Sequence, residues 1–406
     1  MAQQTSKARI PVIEGVPPEL AARFPEFVRM GVDLQVLTQA VREAGSPANA
    51  VWSKAMSAFG EQAWVRAEAA ARYENFIVAQ RCFLTASFWF FLARFPHILN
   101  ERASHAYRRH GEAYARAAKF FRDPMVRVEI PARDGNFPAL LRLPRDATDP
   151  VPLVLITGGL DTWKSDPEIH FQVEDILQRG IATLAIDIAG TGEAPVPLGP
   201  GAEELHRAAL EWARQDARID GTRLGAYGVG FGGYFAAKLA LTDPSLKGVV
   251  QVRGPLHFAF SVENLTRLPR STLVTLARGA GLDYGRDAAR VLALLSSMSL
   301  SCQGLLPAQE HAPLLSINGG QDELVSIRDL RWLSEQGVHQ DMLTEDRLHG
   351  PLAAAWLAGK LTTGGVSKDP LRATRVDVTH SLRAGSANAC PPSRARLRYV
   401  SKSCFV

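Results

Sequence analysis

Two titratable side chains and a glycine corner carry the chemistry open to this chain of 406 residues. The stretch Leu224-Gly-Ala-Tyr-Gly-Val-Gly-Phe-Gly-Gly-Tyr-Phe-Ala-Ala-Lys-Leu-Ala reads as a short buried strand, a very tight turn and a helix. Its turn, Gly228-Val229-Gly230-Phe231-Gly232, puts Gly230 at the corner. Such a corner holds its central residue at positive φ, which glycine adopts freely and a serine only under strain. Gly230 brings no hydroxyl, and Val229 and Phe231 cannot replace one, so no acyl-enzyme forms there. Acid–base chemistry remains. Asp322, in Asn318-Gly319-Gly320-Gln321-Asp322, follows a strand and is placed to orient a histidine. His349, in Arg347-Leu348-His349-Gly350, stands in a loop after that aspartate and before a helical segment. The dyad acts as a general base on water or on a carbon acid. In Gly158-Gly159-Leu160-Asp161 the paired glycines let backbone N–H groups turn toward a reacting oxygen, and the Phe231 N–H supplies a second donor. The bland alternatives are a simple glycine turn and a turn aspartate that caps its own loop. Asp187-Ile-Ala-Gly190-Thr-Gly192-Glu193 reads as a structural turn beside the site.

Helices and strands must bring these groups together. Residues 1–122 show helical spacing, with apolar side chains through Val32-Leu34-Leu37-Val41, Ala63-Val65-Ala69 and Ala103-Tyr107-Tyr114-Ala118. The pattern changes near Asp123-Pro124. Residues 126–130 and 139–143 alternate as two strands about an Asp134-Gly135 turn. Continuous apolar runs follow at 151–157, 181–186, 224–228, 249–252 and 314–317, with a weaker one at 338–343. Such runs suit strands buried on both faces of a parallel sheet. Helical segments at 170–177, 203–217 and 231–241 alternate with them, which predicts an open α/β sheet with function at the carboxyl ends of its strands. Residues 265–309 read as a leucine-rich helical insert over that edge. The expected division is a helical domain at 1–122, an α/β core at 123–361 and a basic tail at 362–406.

Composition narrows the class. With 46% hydrophobic and 21% charged residues the chain is neither a disordered nor a membrane-embedded polypeptide. The formal charge of +5 is concentrated in the tail, from Lys368 to Lys402, where basic side chains far outnumber Asp369 and Asp377. A Ser-, Pro- and Arg-rich segment of that kind is expected to be disordered and solvated rather than a grip on nucleic acid. Cys82, Cys302, Cys390 and Cys404 match neither metal-ligand nor disulfide spacing. A reduced, cytoplasmic setting without metal or cofactor is the expectation. The N-terminus lacks an apolar signal core. The apolar run from Cys82 to Ala93 is short of the roughly 20 residues that span a bilayer, so a buried or interface helix is expected there.

The ordered set resembles an α/β-hydrolase from Val126 to about Leu361. The turn at Gly230 matches the nucleophile elbow with glycine in place of serine, and Asp322 then His349 follow it in the hydrolase order. With the preceding helical domain, Gly158-Gly159-Leu160-Asp161 and Asp187-x-x-Gly190-x-Gly192, the chain resembles the FrsA-type esterase group, which includes the 2,6-dihydroxypseudooxynicotine hydrolases. The resemblance implies that the helical domain caps the site and forms a homodimer. It implies a small ester, ketone or 1,3-dicarbonyl substrate, with His349 as base, Asp322 as its orienter, and Leu160 and Phe231 as oxyanion donors. Gly230 departs from the group's Ser-His-Asp triad.

Rival readings differ in class. Gly228-x-Gly230-x-x-Gly233 also fits a dinucleotide fingerprint, but the following strand ends in Gln251-Val252-Arg253 with no acidic residue for a ribose, and the motif follows several strands instead of opening the first βαβ unit. A hydrolase fold kept as a non-catalytic binding or regulatory module is the stronger rival. A deliberate replacement of the serine that would trap substrate is a third.

Overall fold

The computed structural model describes residues 16, 21, 24–45, 51–95, 97–98, 100–308, 310–319, 322, 325, 327–344 and 349–362. The expected basic tail therefore lies almost wholly outside the described residues. The N-terminal helices are α1 (Phe24–Arg29), α2 (Leu34–Ala44), α3 (Trp52–Arg72), α4 (Phe76–Arg94) and α5 (Glu101–Ala118). Side-chain caps fix three of their starts. Asp33 accepts from Gln35 N (2.8 Å) and Val36 N (3.0 Å), Asn75 from Val78 N (3.3 Å) and Asn100 from Ala103 N (2.9 Å).

Helical spacing located these helices but not the exact width of each buried stripe. Val32, Leu37 and Val41 are buried, whereas Leu34 and Val65, read as members of the same faces, are exposed. Leu34 is the first residue of its helix, and Val65 stands two residues from both buried Ala63 and Ala67, on the opposite face of its helix. The apolar helix α4 begins at Phe76, earlier than the run from Cys82 suggested, and has 19 residues. Among the described residues it alone is long and apolar enough to cross a membrane. Its second half, Ala86–Arg94, is buried, with Trp89, Phe90 and Phe91 in the helical core.

Eight strands form one sheet in the order β1-β2-β4-β3-β5-β6-β7-β8. They are β1 (Met125–Ile130), β2 (Phe137–Arg142), β3 (Val151–Thr157), β4 (Ala182–Ile186), β5 (Ile219–Val229), β6 (Gly248–Val252), β7 (Leu314–Ile317) and β8 (Gln340–Leu343). β2 is antiparallel to β1 and β4, and every other pairing is parallel. Strands alternate with α6 (Pro167–Leu177), α7 (Glu204–Gln215), α8 (Phe231–Thr242), α9 (Val262–Leu265), α10 (Arg270–Gly279), α11 (Tyr284–Ser297), α12 (Ile327–Glu335) and α13 (His349–Leu361). Both faces of the central strands are covered, which is why they read as unbroken apolar runs. Phe231, Phe235, Leu205 and Leu210 pack on one face; Ile169, Val173, Trp356 and Leu357 pack on the other. Full burial of such side chains contributes roughly 1.5–3 kcal/mol each. This is the α/β-hydrolase fold. The insert helices α9 to α11 pack against the core through Leu265, Leu276 and Leu295.

Candidate functional site

The corner at Gly230 is built by close backbone approach. β5 ends at Val229, and Gly230 caps α8 with φ 57° and ψ −125°. Its N–H donates to Val252 O (2.9 Å). A Cβ on Gly228 would overlap the Gly232 carbonyl, and one on Gly232 would come within 2.5 Å of the carbonyls of Gly158 and Thr157. Space therefore requires glycine at 228 and 232. At 230 the space is free, since a Cβ would meet only Gly159 Cα at 3.6 Å, and it is the positive φ that favours glycine. A Cβ on Gly159 would in turn lie 3.8 Å from Phe231 N. Gly159, Gly230 and Phe231 thus share one corner, as the sequence predicts. Leu160 follows in the same loop, and among the described residues nothing accepts from its N–H.

The loop 158–166 is braced from two sides. Trp163 Nε1 donates to Leu160 O (3.0 Å), and Arg94, at the end of α4, donates to Asp161 O (3.1 Å). The Arg94 guanidinium stacks 3.8 Å over the Trp163 ring and pairs with Asp166, both side chains fully buried. His110 Nε2 lies 3.2 Å from the other Asp166 oxygen and 2.9 Å from Ser165 Oγ. Burial alone would push the Asp166 carboxyl up, but Arg94 and His110 hold it below the usual carboxylate range. On the other side Lys164 Nζ pairs with Asp187 and with Glu193 (2.7 Å). Burial would lower this ammonium, and the two carboxylates outweigh it, raising it above the ordinary lysine value. Asp187 also accepts from Lys164 N and Glu193 N, each at 2.9 Å. Its oxygens are committed to joining two loops, in keeping with a structural turn beside the site.

His349 and Asp322 follow neighbouring strands. β7 and β8 pair from Leu314↔Gln340 to Ile317↔Leu343, and Asn318 N donates to Leu343 O (3.2 Å). Asp322 N donates to Gly319 O (3.3 Å), and its Oδ1 accepts from Val325 N (3.0 Å), which is local capping of its own turn. Gly320, Gln321, Arg347 and Leu348 lie outside the described residues. His349 opens α13. Its Nδ1 is 3.0 Å from the Tyr227 hydroxyl, and its Nε2 is 4.0 Å from Glu168 Oε1. The other Glu168 oxygen takes the Thr162 hydroxyl at 3.5 Å. Sequence reasoning missed Tyr227, Glu168 and Arg94. Tyr227 was hidden in an apolar strand, and Glu168 carried only the signal of a helix start behind Pro167.

An apolar cleft adjoins the corner. Phe231, Ala259, Phe260, Leu265, Leu276 and Leu295 line it, and it encloses about 20 Å³, room for little more than one water. Asp329 holds its outer wall by accepting from the backbone N–H groups of Leu256 (3.1 Å), His257 (3.3 Å) and Phe258 (2.6 Å). Burial raises the Asp329 carboxyl despite those donors. Among the described residues no three His, Cys, Asp or Glu side chains gather as metal ligands do.

Comparison with known proteins agrees with this architecture. The structure superposes on that of a 2,6-dihydroxy-pseudo-oxynicotine hydrolase with a TM-score of 0.72 at 20% identity, covering 84% of this chain and 96% of that one. A second solved structure, AbyA5, gives a TM-score of 0.66 at 22% identity, covering 83% and 92%. At these identities the likeness establishes the fold. In sequence, the esterase FrsA of Yersinia pestis is 28% identical over 244 residues, and that of Yersinia pseudotuberculosis matches to the same extent. The match spans 59% of this chain and 58% of each relative. The family described as esterase FrsA-like matches residues 52–342, the greater part of the chain. This chain is therefore a member of the FrsA-like esterase family.

Proposed function

We propose that this protein is a hydrolase that cleaves a small ester, ketone or 1,3-dicarbonyl substrate by attack of water, with no covalent intermediate at position 230. The observation that carries the reading is the corner itself. Gly230 holds an elbow conformation in which an added Cβ would lie 3.6 Å from Gly159 Cα, beside the Phe231 N–H, although no residue from 228 to 233 bears a nucleophile. His349 Nε2 takes a proton from water as the water oxygen bonds to the substrate carbonyl carbon. The resulting oxyanion receives the N–H groups of Leu160 and Phe231. Collapse restores the carbonyl and breaks the adjacent C–O or C–C bond, and His349 returns its proton to the departing oxygen or carbon. Asp322 orients His349 in this scheme. The names of the matched esterases support a hydrolase, and the apolar cleft supports a substrate with a small hydrophobic end.

The test is a panel of aryl esters, β-keto acids and 1,3-diketones, with the protein compared against His349→Ala. Turnover is expected on at least one carbonyl class, with kcat/KM falling at least ~100-fold in the variant, the scale of a lost general base. Equal, blank traces for both proteins would favour the rival reading of a non-catalytic binding module. The nucleophile-free corner and the small cleft are what recommend that rival.

A further inference from the structure

One end of the helical domain holds apolar side chains in solvent. The turn between α3 and α4 leaves Tyr73 86%, Phe76 51%, Ile77 79% and Val78 43% exposed. Single exposed apolar residues are ordinary, but a contiguous group of them marks a contact surface. The turn is tightly bonded. Asn75 N donates to Ala70 O (2.9 Å) and Phe76 N to Glu74 O (3.0 Å), while the Asn75 side chain caps α4. The Phe76 ring stacks on Phe120, just past the end of α5, with centroids 5.4 Å apart. The group therefore stands on a fixed frame, and docking it orders little.

Charge says what the turn fits. Arg72 precedes Tyr73, and Arg81 stands one helical turn beyond Ile77; both are exposed, as are Arg66 on α3 and Lys119 beside Phe120. Burial pushes the Cys82 thiol up, and Arg66 and Arg81 are both near enough to oppose that push. Of the nearby carboxylates, Glu68 lies 3.6 Å from Arg116, and Glu74 stands in the turn itself. The apolar group is thus ringed by cations in excess. A second copy of the chain, the partner that the resemblance implies for this domain, matches this poorly. About a two-fold axis the patch meets itself, and Arg66, Arg72, Arg81 and Lys119 face their own kind. An anionic lipid surface matches both features. Apolar and aromatic groups enter the boundary between headgroups and acyl chains, and the cations stay over the phosphates. Helix α4 lies against such a surface and does not span it, because Ala86–Arg94 are held in the helical core and only the first turn is offered outward.

We propose that the turn between α3 and α4 is a docking tip for an anionic lipid bilayer, with Tyr73, Phe76, Ile77 and Val78 entering the interface and Arg66, Arg72, Arg81 and Lys119 on the headgroups. The proposal stands apart from the hydrolytic reading. Arg94, which braces the loop carrying Leu160, is at the opposite end of α4, about 27 Å from Phe76 at the helical rise per residue. The tip and the Gly230 corner are therefore separate, and a substitution at one leaves the other alone. A single apolar turn with a few cations is a reversible anchor, set by lipid charge and by salt.

Co-sedimentation of the full chain with lipid vesicles tests this. Partition into vesicles that are roughly one third phosphatidylserine is expected to exceed that into pure phosphatidylcholine at least ~10-fold, and to fall in ~0.5 M salt. Ile77→Asn is expected to weaken binding to the anionic vesicles ~3-fold, and Tyr73→Ser with Ile77→Asn at least ~10-fold, with unchanged melting temperatures. These substitutions are neutral, and the basic segment beyond residue 362 is the same in every variant, so the difference belongs to the apolar tip. Arg72→Glu with Arg81→Glu is expected to bring binding down to the phosphatidylcholine level. Partition of Tyr73→Ser with Ile77→Asn within about twofold of the native value overturns the proposal, because charge alone would then account for binding. A native protein that sediments with neither vesicle also overturns it. A native dimer in light scattering that the same double variant splits into monomers overturns it too, and assigns the turn to a second copy of the chain.

Discussion

At position 230, conformation and chemistry separate. The backbone there has φ 57° and ψ −125°, and the space a Cβ would fill is open to Gly159 Cα at 3.6 Å. A serine side chain therefore meets no steric bar, and its cost is backbone strain of about 1–3 kcal/mol. Gly230→Ser is expected to fold with a melting temperature lower by a few degrees and to gain labelling by a fluorophosphonate, none being expected of the native protein. Gel fluorescence with and without His349→Ala checks this; label that does not depend on His349 would mean that the imidazole does not serve the corner. The glycines on either side behave differently. Gly228 and Gly232 face backbone carbonyls at distances no Cβ tolerates, so larger residues there are expected to abolish folding. The sequence motif marks all three positions alike; only the local packing separates those fixed by space from the one fixed by φ.

The element that couples the helical domain to the site is the end of α4. Arg94 ties that helix to Asp166 at the start of α6 and to Asp161 O in the loop carrying Leu160. Arg94→Met would leave a buried carboxylate without its main cation. Removing one partner of such a pair costs about 3–5 kcal/mol. Urea unfolding should show a loss of that size, and Arg94→Met combined with Asp166→Asn should recover part of it, since the charge left behind is the main penalty. Losses that simply add would mean that the pair does not couple the two elements. The strands of this fold were legible because parallel strands covered on both faces keep no polar alternation, and the runs at 151–157, 249–252 and 314–317 coincide with β3, β6 and β7 or differ by one residue. β5 starts earlier than its apolar run, at Ile219, because Asp220-Gly221-Thr222-Arg223 occupies its polar first half. That Gly159, Gly230 and Phe231 meet at one corner was legible because each is a local backbone feature. Arg94 with Asp166, and Tyr227 with His349, were not. Each pair joins residues far apart in the chain, and neither a buried arginine nor a strand tyrosine announces its partner by spacing.

Over the whole molecule, two histidines buried as neutral rings tie stability to pH. His206, fully buried and stacked on Phe235 with centroids 4.7 Å apart, has no described hydrogen-bond partner for either ring nitrogen. Burial, with Lys238 adding to it, pushes its pKa down to about 3. His97 sits where the helical domain meets Trp163 and the insert, and burial, then Arg94 and Arg278, push it down to about 4. In the unfolded chain both rings return to an ordinary value near 6.5. Below that pH the unfolded state binds protons that the folded state refuses, so stability is full at neutral pH and falls as pH drops from about 6.5 toward 4 and then 3. At pH 5 each ring costs roughly 2 kcal/mol on this account. Asp166 adds a later loss, because its lowered carboxyl stabilises the fold above the ordinary carboxylate pKa and fails only as pH falls through its folded value. Urea midpoints should therefore hold between pH 8 and 7 and drop steadily from 6.5 to 5. His206→Phe keeps the ring stack on Phe235 and removes the titrating group, so it should flatten about half of that drop while leaving the midpoint at pH 7.5 unchanged or raised. A variant whose midpoint follows the native curve through this range would show that His206 takes up its proton without unfolding the protein, and the acid sensitivity would then belong to the junction at His97.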